Sequence, residues 1–385
     1  MKIHRHAFPA LLSLALVAPA LAADSGSFVV RLGQDTTSVE SYTRSPARLE
    51  VNQVGRAPRV LQRHFIYDYA NGAVSKVSMV VTPPGAPTPT QTIDVTVGSD
   101  SIRTTTRTGS APPANLSVAS VPGLLVVAGS SPWAGYEGLL MKFVKGKADS
   151  LRTTMYFLGA ANTDWLSLHK LGRDSVDIYN GHQDRFHVRV DKSGRILGVL
   201  PIAGTGKVAA ERVEKLDLAA MTASFAAREQ AGAGLGVLSP RDSVKVTVGG
   251  AALWVDYGRP GKRGRVVFGT VVPFGEIWRT GANAATQLRT DKDLDFGGTV
   301  VPAGFYTLWT IPSPEGWKLI VNSETGQWGT AHKAEKDLVT IPMSVGPLSQ
   351  VAERFTISVE AGADGGTLNM DWDTTRASAA FTVKP

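Results

Sequence analysis

Six turn dipeptides built on glycine punctuate this chain: Asn71-Gly72, Asn180-Gly181, Ser193-Gly194, Gly249-Gly250, Gly297-Gly298 and Gly365-Gly366. Each separates short runs rich in Val, Thr, Tyr and Phe. Two-residue turns of this kind twist the backbone in the sense that antiparallel neighbours require. A chain divided this way is committed to hairpins and meanders, so the expected fold class is mainly β. In the first half the runs are Phe28–Leu32, Arg48–Val54, Leu61–Tyr69, Val74–Val81, Thr92–Val97 and Ile102–Arg107, with a meander over Ser175–Tyr179, Arg185–Val190 and Arg195–Leu200. Tyr136–Val144 breaks the pattern: Tyr136, Leu139, Leu140 and Phe143 fall at helical spacing. The expectation is a curved antiparallel sheet over residues 23–216 with one covering helix.

Asp217–Gly236 is rich in Ala and places Leu218, Met221 and Phe225 on one helical face. Asp217 is a plausible N-cap, and Gly232, Gly234 and Gly236 end the helix. This predicts a loosely docked helical linker over 217–237. From 238 to 385 the runs are again short and evenly spaced, at Val244–Val248, Ala252–Tyr257, Ala285–Thr290, Thr299–Val301, Phe305–Ile311, Trp317–Asn322, Arg354–Glu360, Thr367–Trp372 and Ser378–Val383. Such spacing predicts a second β domain, a sandwich of jelly-roll-like form.

The N-terminus reads as an export signal over residues 1–22. Lys2 and Arg5 precede the apolar stretch Ala10–Ala18, and Ala20-Leu21-Ala22 is a small-residue cleavage pattern. Cleavage near Ala22 would place the mature chain in the periplasm or outside the cell. No later run approaches the roughly 20 apolar residues of a spanning helix. The chain has no cysteine, which removes disulfides, thiol nucleophiles and Cys-ligated metals. The net charge of +7 falls to +5 without Lys2 and Arg5, and it is spread along the chain. That argues against a nucleic-acid partner. His169, His182 and His187 have poor geometry for a shared metal, and no P-loop, H-E-x-x-H or G-x-S-x-G is present, so neither metal nor cofactor is expected.

The densest stretch is Asp256–Asn283, DYGRPGKRGRVVFGTVVPFGEIWRTGAN. With SPRDSVKVTVGG before it, and GGTVVPAGFYTLWTIP and QWGT after it, it resembles the bacterial family catalogued as domain of unknown function 2911. The resemblance covers about Ser239 to Val383. It implies a fold and a secreted bacterial setting, and no activity. Where that family tends to carry Tyr after QWGT, this chain has Ala331-His332-Lys333.

The candidate ligand-binding residues are therefore Asp256, Tyr257, Arg259, Arg265, Trp278, Arg279 and Asn283. If 276–279 is a strand, Arg279 shares a face with Ile277, and Asp256 or Glu276 is its expected carboxylate partner. Arg279 then either fixes a loop on the sheet or meets an acidic or hydroxylated ligand. The basic loop Arg259–Arg265 offers backbone N–H groups as an anion nest, or else is simply solvated. Trp309, Trp317, Trp328, Tyr257 and Tyr306 would stack on sugar rings if exposed and are core if buried. The reading is a binding or structural envelope module, without catalytic residues, for an unknown small molecule, glycan or envelope component. The alternative is a hydrolase using Asp256, Arg279 and His332, the last oriented by Asp337 or Glu335. A third option is an apolar ligand held in the concave first sheet.

Overall fold

A computed structural model of the chain describes residues 24–129, 132–181 and 183–384. The proposed leader, its cleavage site near Ala22, and His182 lie outside the described residues. Strand accounts for 56% against 8% helix, so the fold is mainly β.

The first sheet has fifteen strands, and its order explains how the chain ends where it began. The first strand, Asp24–Leu32, pairs with Asp35–Arg44 on one side and with the last strand, Ala209–Val213, on the other. Two meanders spread outwards from this seam. One reaches its edge at Ala114–Ala119 and the other at Leu125–Val127. All pairings are antiparallel except Leu125–Val127 beside Ser150–Phe157. The sheet curls until its arms meet: Thr104 and Tyr156, from opposite arms, hydrogen-bond at 2.8 Å. Helix α1, Ala134–Lys145, lies in the hollow, and Trp133, Tyr136, Leu140 and Phe143 fill it together with Phe28, Phe65, Ile102 and Phe186. The protein's own helix thus fills much of the hollow, while Val30, Leu32, Phe65 and Met79 line an opening at its mouth.

The helix is also pinned by charge. Glu137 is fully buried and accepts hydrogen bonds from Tyr42 Oη, Arg44 Nη1 (2.8 Å), Arg212 Nη2 and the Ile196 amide (2.9 Å). Arg44 also donates to Ala134 O at the helix start. Four donors around one carboxylate offset the cost of burying it.

Helix α2, Leu218–Gln230, begins at Asp217, whose carboxylate accepts the Ala220 amide at 2.9 Å. Leu218, Met221 and Phe225 form a small core with Val39, Val54 and Val60 on the convex side of the first sheet. Glu229 accepts the Val60 amide at 2.8 Å. The expected loose linker is therefore a docked element.

The second sheet has nine strands. Two long bent strands, Asp337–Ala361 and Gly365–Val383, carry it round a corner, with register shifts near Pro347 and Ala352. The folded-over halves enclose one core containing Tyr257, Trp278, Leu308, Trp317, Phe355 and Trp372. The region from Gly261 to Ala284 is not a strand; it touches the sheet through isolated bridges, such as Trp278 with Thr310.

The basic loop joins the two halves. Arg263 O accepts the Gln34 amide at 3.1 Å, and Arg263 Nη1 pairs with Asp35. Gly33 sits at φ +61, and a Cβ there would lie 2.2 Å from Arg263 O, so this contact needs a glycine.

Glu137→Ala should lower unfolding stability by about 3–5 kcal/mol, because it leaves buried guanidinium groups without their shared carboxylate. Urea unfolding of the full chain measures this, and a loss below about 1 kcal/mol would contradict the pinning role.

Candidate functional site

A cleft of about 1680 Å³ opens where the two halves meet. The first domain contributes the mouth of its curled sheet and the segment 202–208; the second contributes residues 271–283 and 329–332.

Arg279 enters this cleft because of how its neighbours are held. Trp278 exchanges backbone hydrogen bonds with Thr310 at 2.7 and 2.8 Å, and its indole N–H donates to Gly281 O at 3.0 Å. Its ring stacks on Trp372 and meets Phe355 edge-on. The chain then turns sharply, with Thr280 at φ 53 and Asn283 at φ 64. With Trp278 anchored in the core, Arg279 is directed the other way. Its side chain lies along Gly329, where a Cβ would sit 2.1 Å from Arg279 Cδ. Gly329 is the glycine that gives the arginine its path.

The guanidinium is poorly neutralised. Arg279 Nη2 donates to Gly204 O of the first domain at 3.0 Å, and Nε is buried without a partner among the described residues. Burial pulls its pKa down to about 10, opposed only by Asp184. Asp184 is already engaged: its Oδ1 accepts the amides of Thr205 (2.7 Å) and Gly206 (2.8 Å), which shapes the 204–206 turn. Lys207 follows that turn. Burial, with Arg279 and then Arg265 beside it, lowers its pKa from 10.5 to about 8, against the pull of Asp184. Arg265 is itself lowered by burial and by Arg263, and it donates to the carbonyls of Lys262 (3.0 Å) and Gly261 (2.6 Å). Three cations thus face one cleft; the hydrogen bonds of Arg279 and Arg265 go to carbonyl oxygens, and Asp184 and Glu353 act on the cluster through space. Each cation would favour the arrival of an anion.

Of the seven sequence candidates, Arg265, Trp278, Arg279 and Asn283 line the cleft, and Asp256, Tyr257 and Arg259 do not. Asp256 is not the partner of Arg279. It points from the outer face of its strand and pairs with Arg241, whose Nε lies 2.8 Å away. Glu276 lines the cleft but is exposed and forms no ion pair with Arg279. Tyr257 is a core residue, 1% exposed, packed edge-on against Phe355. Arg259 ties strands together through Asp242 (2.8 Å), Phe355 O (3.2 Å) and Thr356 Oγ1 (3.0 Å). The loop is neither an open anion nest nor simply solvated: Glu353 Oε1 accepts the Arg263 amide at 2.8 Å, and Glu353 O accepts the Lys262 amide at 2.7 Å. Trp309, Trp317 and Tyr306 are buried, while Trp328 is about half exposed.

His332 lines the same cleft. Its Nε2 lies 2.9 Å from Asp337 Oδ1, which also accepts from Asn322 Nδ2 at 2.7 Å, and its ring meets Trp309 edge-on. Among the described residues, no group of three or more His, Asp or Glu is placed to hold a metal ion. None of the described helices is long and apolar enough to cross a membrane.

Residues 239–381 match the family described as "Protein of unknown function (DUF2911)"; the first domain matches no family. No curated protein matches the chain. Among solved structures, a β-barrel-like protein of the domain of unknown function DUF1849 from Brucella abortus overlaps with a TM-score of 0.33 at 10% identity, over 51% of this chain and 96% of that one. A botulinum neurotoxin type C structure, whose cell entry depends on two ganglioside molecules, overlaps at a TM-score of 0.11 and 9% identity, over 94% and 88%. Overlaps of this size carry no argument about function.

The charge cluster makes a prediction independent of any ligand. Lys207, followed by side-chain NMR in the full chain, should titrate near pH 8, and Arg279→Gln should move its midpoint upward. A midpoint at the ordinary lysine value, about 10.4, would contradict the described electrostatics.

Proposed function

We propose that this chain is an exported binding protein that holds an anionic molecule in the cleft between its two domains. The observation that carries the reading is the Arg279–Lys207–Arg265 cluster. Its charges are partly desolvated and the acceptors of its two guanidinium groups are neutral carbonyls, so a bound carboxylate or phosphate would supply further counter-charge. Export rests on Lys2, Arg5 and the Ala20-Leu21-Ala22 pattern, and it places the ligand among periplasmic or envelope components.

The sign of the pH dependence follows from Lys207. Its folded-state pKa is depressed, so the ammonium is present below about pH 8 and lost above it. An anion would favour the charged form, so binding takes up a proton near that pH, and affinity declines as pH rises through about 8.

A second reading is favoured by one observation: the His332–Asp337 pair opens on the same cleft, in the arrangement of a base with its orienting carboxylate. The hydrolase reading loses Asp256, which is committed to Arg241. It would act on an anionic substrate held by Arg279.

Thermal shift and calorimetry with small carboxylates and inorganic phosphate test the binding reading. An anion present at about 100 times its Kd should stabilise the wild type by roughly 2.7 kcal/mol at pH 7 and much less at pH 9.5. Arg279→Gln should bind the same anion at least about tenfold more weakly. If a folded Arg279→Gln protein binds as well as the wild type, the cluster is not the site.

A further inference from the structure

We infer that the natural ligand is elongated and carries anionic groups at two separated points, one received by Arg279, Lys207 and Arg265 and the other by Arg63. This deepens the reading under Proposed function and rests on it.

Arg63 belongs to the strand Leu61–Ala70. Strand alternation puts it on the same face as Phe65 and Tyr67, both 1% exposed and in the first core. It therefore points into the hollow of the curled sheet, at the mouth, where it lines the same cleft as Arg279. A charge on a core-facing strand position is unusual, because burial without a partner is costly. The chain makes room for it: Gly55 lies beside Arg63, and a Cβ there would sit 2.3 Å from Arg63 Nη1. Its hydrogen-bond partner is neutral Gln53, with Oε1 at 3.4 Å, a long contact. No described carboxylate forms an ion pair with it.

The two subsites stand on different elements: Arg63 on the strand Leu61–Ala70 beside Gly55, and the other cluster on the 202–208 segment and on residues 265–279, with no hydrogen bond or ion pair between them among the described residues. Val30, Leu32, Phe65 and Met79 also line the cleft, so part of its wall is apolar. The volume of about 1680 Å³ exceeds the range of about 300–1000 Å³ usual for small-ligand pockets. A single small anion would satisfy one cluster and leave the other guanidinium desolvated. A linear dianion with an apolar middle satisfies both.

The test uses the full chain and a series of α,ω-dicarboxylates of four to about sixteen carbons, each beside the monocarboxylate of equal length. A matching series of α,ω-bisphosphonates distinguishes carboxylate from phosphate chemistry. Calorimetry should show affinity rising to a maximum at one diacid length, with that diacid binding about tenfold or more tightly than its monoacid. Arg63→Gln should collapse the ratio to about one, and Arg63→Lys should restore part of it. The length optimum is read on the wild type, so it stands even if a variant folds poorly. If diacids bind no better than monoacids at any length, the two-point inference is overturned while anion binding survives. If no anion of either series binds, the binding reading falls and this inference falls with it.

Discussion

The structure depends on the contact between Arg263 and the hairpin at Gly33–Asp35. One residue offers its carbonyl to the Gln34 amide and its guanidinium to Asp35, and so fixes a folded-over nine-stranded sheet against the mouth of a curled fifteen-stranded one. Without that seam, Arg279 and Lys207 would belong to separate domains with separate solvent shells. With it, both are partly desolvated at one interface, and Arg279 reaches across to Gly204 O. The cleft is a consequence of docking, which is why neither domain alone contains it.

The contrast among the arginines carries the functional argument. Arg44 and Arg212 share buried Glu137, Arg241 pairs with Asp256, Arg259 with Asp242, and Arg376 with Asp371. Even the Arg263 backbone amide has its own carboxylate in Glu353. This chain supplies internal anions readily where rigidity is the purpose. Arg263 and Arg195 also leave Nε unbonded, but each has a carboxylate at its other nitrogens. Arg279, Lys207 and Arg63 depart from that habit within a single cleft; buried Arg56 departs from it outside the cleft, where it donates to Thr36 O and lies over the Phe225 ring. Buried cations given only neutral acceptors are where a folded protein accepts instability in exchange for recognition.

The fold class was legible because turn chemistry is local. Asn71-Gly72, Gly249-Gly250 and Gly297-Gly298 each close a hairpin, and α1 lies where the Tyr136, Leu140 and Phe143 spacing placed it. Strands without a clear alternating signature, such as Asp35–Arg44 and Asp164–Lys170, escaped notice because their outward residues are themselves partly buried by neighbouring elements. Of the site, the Trp278–Asn283 turn was visible as a dense motif. Strand alternation over 276–279 would put Asp256 or Glu276 beside Arg279; isolated bridges and left-handed backbone at Thr280 and Asn283 aim it into the cleft instead. Lys207 and Arg63 carried no local signal at all. Their importance comes from burial without a counter-charge across a domain interface, which only the tertiary structure discloses.

The central claim is that the cleft's clustered cations have no carboxylate hydrogen-bonded to them within the protein, Asp184 and Glu353 acting on them only through space, and take a counter-ion from outside. Anomalous diffraction from crystals of the full chain soaked in bromide tests it most directly. The account predicts a bromide peak within hydrogen-bonding distance of Arg279 and Lys207, displaced when a carboxylate or phosphate is added. A map in which a carboxylate of the protein itself caps the Arg279 guanidinium, with no peak in the cleft, would contradict it.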